Sequence, residues 1–314
     1  MLRVMLLGAL ASAFLASGFL ASGFLVSGCS SGTSGASAPE SAPPAPPAEA
    51  EAGAPDDAGV PPRCEDAPLP LLTEEANGHL SRLYVEAELD AKRVAFIFDT
   101  GSATTFLERP IGTPDPTRHA ADILIGTCSV AVDGRPYPID EVTGGGLGVV
   151  GTLGADTLLG AKATELDLAG MRIVRSVKVP LDPDIMSWPT VRIDIVRGHL
   201  LAHVVVDGQP LRLMVDTGSP HLLWVGRNGE PGDEEVRSSD ATGNPLTLYL
   251  GTATVQLGEG SSERAPILRA PSFPYFEETV RQLGGNVAGL VGLSALGRRR
   301  IVVDRAARVL RVRP

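Results

Sequence analysis

One four-residue sequence, Asp-Thr-Gly-Ser, occurs twice in this chain, at Asp99–Ser102 and at Asp216–Ser219. Each copy follows a short hydrophobic run of the kind that forms a buried β-strand. The glycine in each copy permits a sharp turn, so the aspartate is held where the strand ends. A single copy of so short a sequence is a weak signal. Two copies, each after a similar strand, indicate a duplicated unit.

The residues around the two copies indicate a repeat. Asp99 and Asp216 lie 117 residues apart, and the same offset aligns Leu80–Asp90 with Arg197–Asp207. Each aligned stretch predicts a β-hairpin whose second strand ends at the aspartate. A constant offset over a whole hairpin favours two related halves over two chance matches.

A second matching feature follows each hairpin. Val150–Leu158 resembles Ala288–Leu296, and each contains a glycine motif, Thr152-Leu153-Gly154 in the first half and Leu290-Val291-Gly292 in the second. A strand pair is predicted after each motif. The distance from the aspartate to the glycine is longer in the second half, which surface loop insertions explain.

The composition fits many short strands joined by tight turns. Glycine (36 residues) and proline (26) are frequent, aromatic residues make up 4%, and 43% of the chain is hydrophobic. These values predict an all-β or mostly β protein. The net charge of −10 argues against nucleic acid as a partner.

The N-terminal residues predict an export signal. After Arg3 the chain is apolar up to Val26-Ser27-Gly28-Cys29. A transmembrane anchor and a secretory signal both fit that run. Val-Ser-Gly-Cys resembles the lipobox of bacterial lipoproteins, whose cysteine is acylated, with palmitate among the expected chains. The resemblance implies a signal peptide over 1–28, a lipid on Cys29, and a membrane-anchored protein of the cell envelope outside the cytoplasm.

A linker and two cysteines follow. Residues 29–66 are rich in alanine, proline and serine, and their composition predicts a disordered spacer. If Cys29 is lipidated, Cys64 and Cys128 are left. An even number of cysteines outside the cytoplasm favours a disulfide between them, and two free thiols are the alternative.

The two loops and two glycine motifs resemble those of the pepsin and retropepsin superfamily of aspartic proteases. In that family each lobe supplies a hydrophobic-hydrophobic-Asp-Thr-Gly-Ser/Thr loop and a later hydrophobic-hydrophobic-Gly motif. The resemblance covers about Leu80 to Pro314. It implies a bilobal fold with two pseudo-symmetric, β-barrel-like lobes over 67–179 and 180–314, and a cleft between them.

The resemblance implies that Asp99 and Asp216 are a catalytic dyad. Two carboxylates that lie close together share one proton and titrate in two macroscopic steps. The ionised member would activate a water and the protonated member would act as general acid. The symmetry leaves open which aspartate starts as the base, and neither a metal nor a cofactor is expected.

Support for the dyad is expected from the residues after each aspartate. The threonine hydroxyls should bond across the lobe interface, and the glycine N–H groups should approach a carboxylate. The serine hydroxyls should donate to the outer carboxylate oxygens. These residues are Thr100, Gly101, Ser102, Thr217, Gly218 and Ser219.

The sequence leaves the cleft cover and the activity open. Tyr137 lies between two prolines and is typical of a turn, Glu108–Asp122 is a poor hairpin, and Gly226–Pro245 is the better candidate for a mobile cover. His199 and His203 have no third ligand, so zinc is not expected. The leading hypothesis is a monomeric aspartic-type endopeptidase, a hydrolase that cuts peptide or protein substrates. The alternative is an inactive protease-like envelope protein that binds peptides in the cleft.

Overall fold

The first half of the chain contains nine strands and one short helix within the described residues. The computed structural model describes residues 68–76, 78–89, 91–109, 120–125, 128–136, 146–175, 181–239 and 245–313. The elements of the first half are β1 (Leu69–Ala76), β2 (His79–Leu89), β3 (Lys92–Phe98), β4 (Phe106–Arg109), β5 (Ala120–Ile125), β6 (Cys128–Pro136), β7 (Val149–Leu153), α1 (Asp156–Leu159), β8 (Ala163–Asp167) and β9 (Arg172–Val174).

The second half repeats this order with additional elements. The hairpin that leads to Asp216 turns at Asp207 and Gly208, whose φ angles of 48° and 76° are those of a two-residue hairpin turn. The elements are α2 (Pro183–Met186), β10 (Thr190–Val196), β11 (His199–Val206), β12 (Gln209–Val215), β13 (Leu222–Val225), β14 (Glu234–Ser239), β15 (Pro245–Gln256), β16 (Ser262–Ala270), α3 (Pro274–Gln282), β17 (Gly289–Val291), α4 (Leu293–Leu296), β18 (Arg300–Asp304) and β19 (Val309–Arg313).

Strand pairing shows the pseudo-symmetry directly. In the first half β7 lies parallel to β3 and antiparallel to β4, and β4 lies parallel to β6. In the second half β17, β12, β13 and β16 repeat these three relations. The register repeats as well, since Phe98 pairs with Leu153 and Val215 pairs with Val291. The predicted mostly β, bilobal fold class is confirmed.

The predicted 117-residue spacing between the two halves does not hold at the start of each hairpin. Leu80 lies within β2 and pairs with Glu75, whereas its offset partner Arg197 lies in the turn before β11 with a φ of 50°. A register shift between Glu74 and Glu75 and a β2 of 11 residues, against 8 in β11, explain the difference. The turns correspond instead at Gly78 and Gly198, whose φ angles are 77° and 82°.

A third sheet joins the two halves. Its strands run in the order β1, β9, β8, β18, β19, β10, and all neighbours are antiparallel. The centre of the sheet is the β8–β18 pair, where Leu166 lies opposite Ile301. Both side chains belong to a hydrophobic core that also contains Phe96 of the first half and Leu213 of the second. The lobes therefore share apolar packing as well as a sheet.

Part of Gly226–Pro245, the predicted cover, lies in the hairpin of β14 and β15. Its Val236 and Leu248 are buried in a second core with Phe276 of α3. The base of the hairpin is held by Arg269, which is 1% exposed and donates to Asp233 (2.8 Å) and to Asp207 (3.1 Å). This segment is thus a packed hairpin at its base, and its role as a cover stays a prediction.

The segment that links the halves packs on the joining sheet. Asp182 caps α2 by accepting from the Asp184 N–H, and a proline follows it at the first helical position. Trp188, 6% exposed, packs against Ala163 and Val302. The guanidinium groups of Arg300 and Arg313 lie 5.2 and 5.9 Å from the centre of its ring. The tryptophan therefore packs the linking segment against β18 and β19.

We expect Trp188→Leu to lower the free energy of unfolding by about 1–3 kcal/mol. The substitution removes two cation–π contacts and part of the buried apolar area. Urea denaturation measures the change. Met186→Leu, at a side chain that is 51% exposed, is the control and should stay within about 0.5 kcal/mol of wild type. Equal stability of the two variants would contradict this packing role.

Several predicted features lie outside the described residues. These are the signal peptide over 1–28, Cys29, the linker over 29–66, Cys64 and Tyr137. Cys128 begins β6 opposite Ile125, but its predicted disulfide partner is not among the described residues, so the bond stays a prediction. No helix within the described ranges is long and apolar enough to cross a membrane.

Candidate active site

The two Asp-Thr-Gly-Ser loops meet at the interface between the lobes. Asp99 and Asp216 directly follow β3 and β12. The Asp99 N–H donates to the Leu153 carbonyl (2.9 Å), and the Asp216 N–H donates to the Val291 carbonyl (3.0 Å). Each aspartate is thus fixed to the strand of its own glycine motif. We call residues 99–105 the Asp99 loop and residues 216–222 the Asp216 loop.

Each carboxylate lies against the glycine of the opposite loop. Asp99 is 2% exposed and Asp216 is 0% exposed. Gly101 N–H donates to Asp99 Oδ1 (2.8 Å), and Gly218 N–H donates to Asp216 Oδ1 (2.9 Å). A Cβ atom on Gly101 would lie 2.7 Å from Asp216 Cγ, and one on Gly218 would lie 2.6 Å from Asp99 Oδ1. Glycine is therefore required at both positions by close approach.

The threonines bond reciprocally across the interface. Thr100 N–H donates to Thr217 Oγ1 (3.0 Å), and Thr217 N–H donates to Thr100 Oγ1 (3.1 Å). Each hydroxyl also donates to a carbonyl of the other lobe, Val215 for Thr100 (2.9 Å) and Phe98 for Thr217 (2.8 Å). Both side chains are fully buried. These four bonds hold the two aspartates in register.

Burial raises the pKa of both aspartates. For Asp216 the charge of Asp99 raises the pKa further, so its pKa lies well above its usual range. For Asp99 the rise is opposed by a hydrogen bond with Asp216 and by backbone N–H groups, first among them that of Gly101. Two buried carboxylates this close share one proton, and that proton belongs to the pair. Asp216 Oδ2 is buried and has no hydrogen-bond partner within the described residues.

The prediction for the two serines is wrong. Ser102 Oγ donates to the Thr104 carbonyl and Ser219 Oγ donates to the His221 carbonyl, both at 2.9 Å. A hydroxyl has one proton, and each loop bends so that a carbonyl two residues along receives it. The Ser219 backbone N–H donates to Asp216 Oδ1 instead (3.2 Å).

The residues of the glycine motifs bond to and pack against the backbone of the two loops. Ala155 N–H donates to the Ser102 carbonyl (2.7 Å), and Leu293 N–H donates to the Ser219 carbonyl (2.8 Å). A Cβ atom on Gly154 would lie 2.6 Å from the Thr104 carbonyl carbon, so the loop backbone packs directly on this glycine. Within each half, the two motifs found in the sequence therefore form one structural unit.

Two histidines near the loops were not predicted from the sequence to be part of the site. Burial and, to a smaller extent, the nearby His79 lower the pKa of His221 to about 4. Burial also lowers the pKa of His199, although a hydrogen bond with the Gly101 backbone raises it. For His199, the repeated Gly-His-Leu at Gly78–Leu80 and Gly198–Leu200 was the available signal.

His203, considered in the sequence as a zinc ligand, and Trp224 lie outside the dyad loops. His203 Nε2 lies 2.9 Å from Asp194 Oδ2, and Arg212 Nε donates to the same oxygen. Trp224 is partly buried on β13, with the Arg227 guanidinium 5.1 Å from the centre of its ring. No cluster of three or more His, Cys, Asp or Glu side chains that could hold a metal occurs among the described residues.

The topology identifies the architecture. Two lobes with the same strand order, joined by a shared sheet and contributing one Asp-Thr-Gly-Ser loop each, form the bilobal pepsin-like fold. The aspartates of the two loops lie together at the junction of the lobes.

Comparisons with known proteins find similar solved structures at low sequence identity. The chain is similar to conglutin gamma, a basic 7S globulin from lupine seeds (10% identity, TM-score 0.45, 79% of this chain and 95% of that one). It is also similar to an aspartic proteinase from Irpex lacteus (11% identity, TM-score 0.42, 78% and 96%). No protein-family model matches the sequence, and no curated protein matches it. The fold assignment therefore rests on the topology above.

Proposed function

We propose that this chain is an aspartic-type endopeptidase that hydrolyses peptide bonds with the Asp99/Asp216 dyad. The observation that carries the proposal is the pair of buried carboxylates, each against the glycine of the opposite loop and each with a raised pKa. Two buried acids that share a proton supply a base and an acid within one site. A purely structural junction would gain stability from uncharged residues at these positions, because burying unpaired charge is costly.

The proposed reaction uses one water and forms no covalent intermediate. We assign the starting negative charge to Asp99, which takes a proton from the water as the water oxygen attacks the peptide carbonyl carbon. Asp216 gives its proton to the carbonyl oxygen, which produces a neutral tetrahedral diol. The carbon–nitrogen bond then breaks, a proton passes to the leaving amine, and the diol becomes a carboxylic acid. The dyad ends with one proton, as it began.

The proposal includes the setting of the enzyme. The lipobox-like Val26-Ser27-Gly28-Cys29 supports a lipid-anchored protein outside the cytoplasm, and a Cys64–Cys128 disulfide fits that compartment. The substrate would be a peptide or an unfolded protein segment bound in the cleft. These features rest on the sequence, and mass spectrometry of the mature chain tests the lipid and the disulfide together.

Loss of cleavage on neutralising either aspartate is the direct test. The full-length chain is incubated with a denatured protein from acidic to neutral pH, beside Asp99→Asn and Asp216→Asn. We expect either change to lower the cleavage rate by about 100-fold or more, because each removes one partner in proton transfer. Peptide mass spectrometry reads the products, and Asp194→Asn, at a partly exposed aspartate away from the dyad, controls for general effects of the substitution.

Two results would contradict the proposal. Identical peptide patterns from wild type and both dyad variants would indicate a contaminating protease. Saturable binding of peptides without any cleavage by wild type would favour the alternative function, an inactive peptide-binding protein of the cell envelope.

A further inference from the structure

One acidic side chain outside the dyad is bound to the Asp99 loop. Asp156, the first residue of α1, accepts three hydrogen bonds through its carboxylate. The Thr105 N–H donates to Oδ2 (2.8 Å), the Thr105 hydroxyl donates to Oδ1 (2.7 Å), and the Thr157 N–H also donates to Oδ1 (2.9 Å). Both oxygens thus engage one loop residue, 51 positions away in sequence.

The bonds through Thr105 complete the attachment of the loop. The Gly154 N–H donates to Thr105 Oγ1 (3.1 Å), so this hydroxyl is bonded on both sides. The loop is then tied at its start through Asp99 to Leu153, in its middle through Ser102 to Ala155, and at its end through Thr105 to Asp156. We propose that Asp156 is a positioning residue that sets the path of the Asp99 loop and so the placement of Asp99 against Asp216. This inference rests on the proposed function.

In the second lobe the end of the Asp216 loop is also held by a side chain, but by a serine hydroxyl in place of a carboxylate. The Leu222 N–H, which corresponds to that of Thr105, donates to Ser294 Oγ (3.1 Å). That hydroxyl then donates to the Pro266 carbonyl (3.1 Å), and Ser294 is 7% exposed. The Asp216 loop is therefore held by a buried neutral hydroxyl. The Asp99 loop is held by an exposed carboxylate, which has two acceptor oxygens and a charge.

Because Asp156 is exposed, we expect its removal to change the local order of the Asp99 loop more than the global stability of the protein. Water competes for exposed hydrogen bonds, so their loss costs little global stability. The start and middle of the loop keep their own bonds to Leu153, Thr217 and Ala155, so the order of the loop end at Thr105 depends most on Asp156. If the loop loosens, the Gly101 N–H bond to Asp99 Oδ1 weakens as well. The ionised form of Asp99 then loses support, and its pKa rises.

Hydrogen exchange tests the positioning role whether or not cleavage occurs. In the full-length chain, Asp156→Ala should speed amide exchange over residues 100–105 by about 10-fold or more and leave residues 217–222 unchanged. Ser294→Ala should do the reverse. Unchanged exchange over residues 100–105 in Asp156→Ala, or equal changes in both loops, would overturn the proposal.

Kinetics on the same variants separate positioning from general stability. We expect Asp156→Ala to lower kcat by about 10-fold to 100-fold, with KM within about 3-fold of wild type, because the reacting groups are misplaced and binding surfaces are not. The acidic limb of the pH–rate profile should move to higher pH. Asp156→Asn should retain part of the rate, since its amide oxygen still accepts one Thr105 bond.

Asp182→Ala is the matched control, because Asp182 is another exposed aspartate at the start of a four-residue helix. It should leave kcat and the pH profile unchanged. An equal loss of kcat in Asp182→Ala, or a wild-type pH profile in Asp156→Ala, would refute the proposal. If wild type itself cleaves nothing, the proposed function fails, and the exchange result still decides whether Asp156 positions the loop.

Discussion

Asp216→Asn should make the protein more stable at neutral pH even as it removes cleavage. The folded chain buries two carboxylates side by side, and burial together with the charge of Asp99 raises the pKa of Asp216. Asparagine has nearly the same shape, carries no charge at any pH, and can donate its amide hydrogen to Asp99. Burying an uncompensated charge costs several kcal/mol. We therefore expect the Tm at neutral pH to rise by about 5 °C or more.

The sign of the pH dependence follows from the raised pKa. Below the pKa of an unfolded aspartate, about 3.9, both states hold the proton and wild type suffers no penalty. As the pH rises, the unfolded chain releases its proton first, and wild type loses stability until the pH passes the raised pKa of the folded pair. The stability gain of Asp216→Asn should thus be small in acid and grow toward neutral pH. Thermal unfolding across this range measures it.

Asp194→Asn is a control with the opposite expectation. His203 and Arg212 lower the pKa of Asp194, although its partial burial opposes them. A lowered pKa contributes stability above the unfolded value, and this stability is lost as the pH falls through the folded value. Asp194→Asn should therefore lower the Tm at neutral pH and lose its effect in acid. If Asp216→Asn followed the same trend as Asp194→Asn, the shared-proton description of the dyad would be wrong.

Gly218→Ala should displace the Asp99 carboxylate from its position beside Asp216, because it adds one methyl group between them. The added Cβ would lie 2.6 Å from Asp99 Oδ1 and 2.7 Å from Oδ2. The Asp99 carboxylate cannot move away, because the Gly101 N–H is bonded to it. The backbone at Gly218 cannot move away either, because the Thr100–Thr217 bonds fix both loops. We expect a loss of about 1–3 kcal/mol in the free energy of unfolding. We also expect a fall of at least about 100-fold in cleavage rate, because a shift of about 1 Å is enough for that.

Gly148→Ala separates this effect from the ordinary consequences of adding a methyl group. No atom lies within 4 Å of the Cβ position of Gly148, and its φ is not in the left-handed region. That variant should match wild type in both denaturation and cleavage assays. Full cleavage by Gly218→Ala would show that the carboxylate and the opposite glycine are not in contact during the reaction.

The sequence predicted those parts of the site that depend on neighbouring residues. A hydrophobic strand followed by Asp-Thr-Gly-Ser holds an aspartate at a strand end, and Gly154 and Gly292 lie where the loops need room. The reciprocal bonds of Thr100 and Thr217 follow once two such loops face each other. Local chemistry and the repeat were sufficient for these features.

Features that depend on distant contacts were missed or predicted wrongly. Asp156 reaches Thr105 only because the chain returns past the Asp99 loop after β7. The Ser102 hydroxyl had two acceptors within plausible reach, and the path of the loop selects the Thr104 carbonyl. The offset of the repeat breaks where β1 and β2 shift register at Glu74. Each outcome depends on how the backbone bends, which residue spacing does not determine.

The sheet that joins the halves has a consequence for how the dyad assembles. In an enzyme built from two separate subunits, each half would have to find its partner, and dilution would take the pair apart. Here β8 and β18 lie in one chain, so the meeting of Asp99 and Asp216 is an intramolecular event with a high effective concentration. Completion of the site is therefore a first-order step of folding, independent of the concentration of the protein.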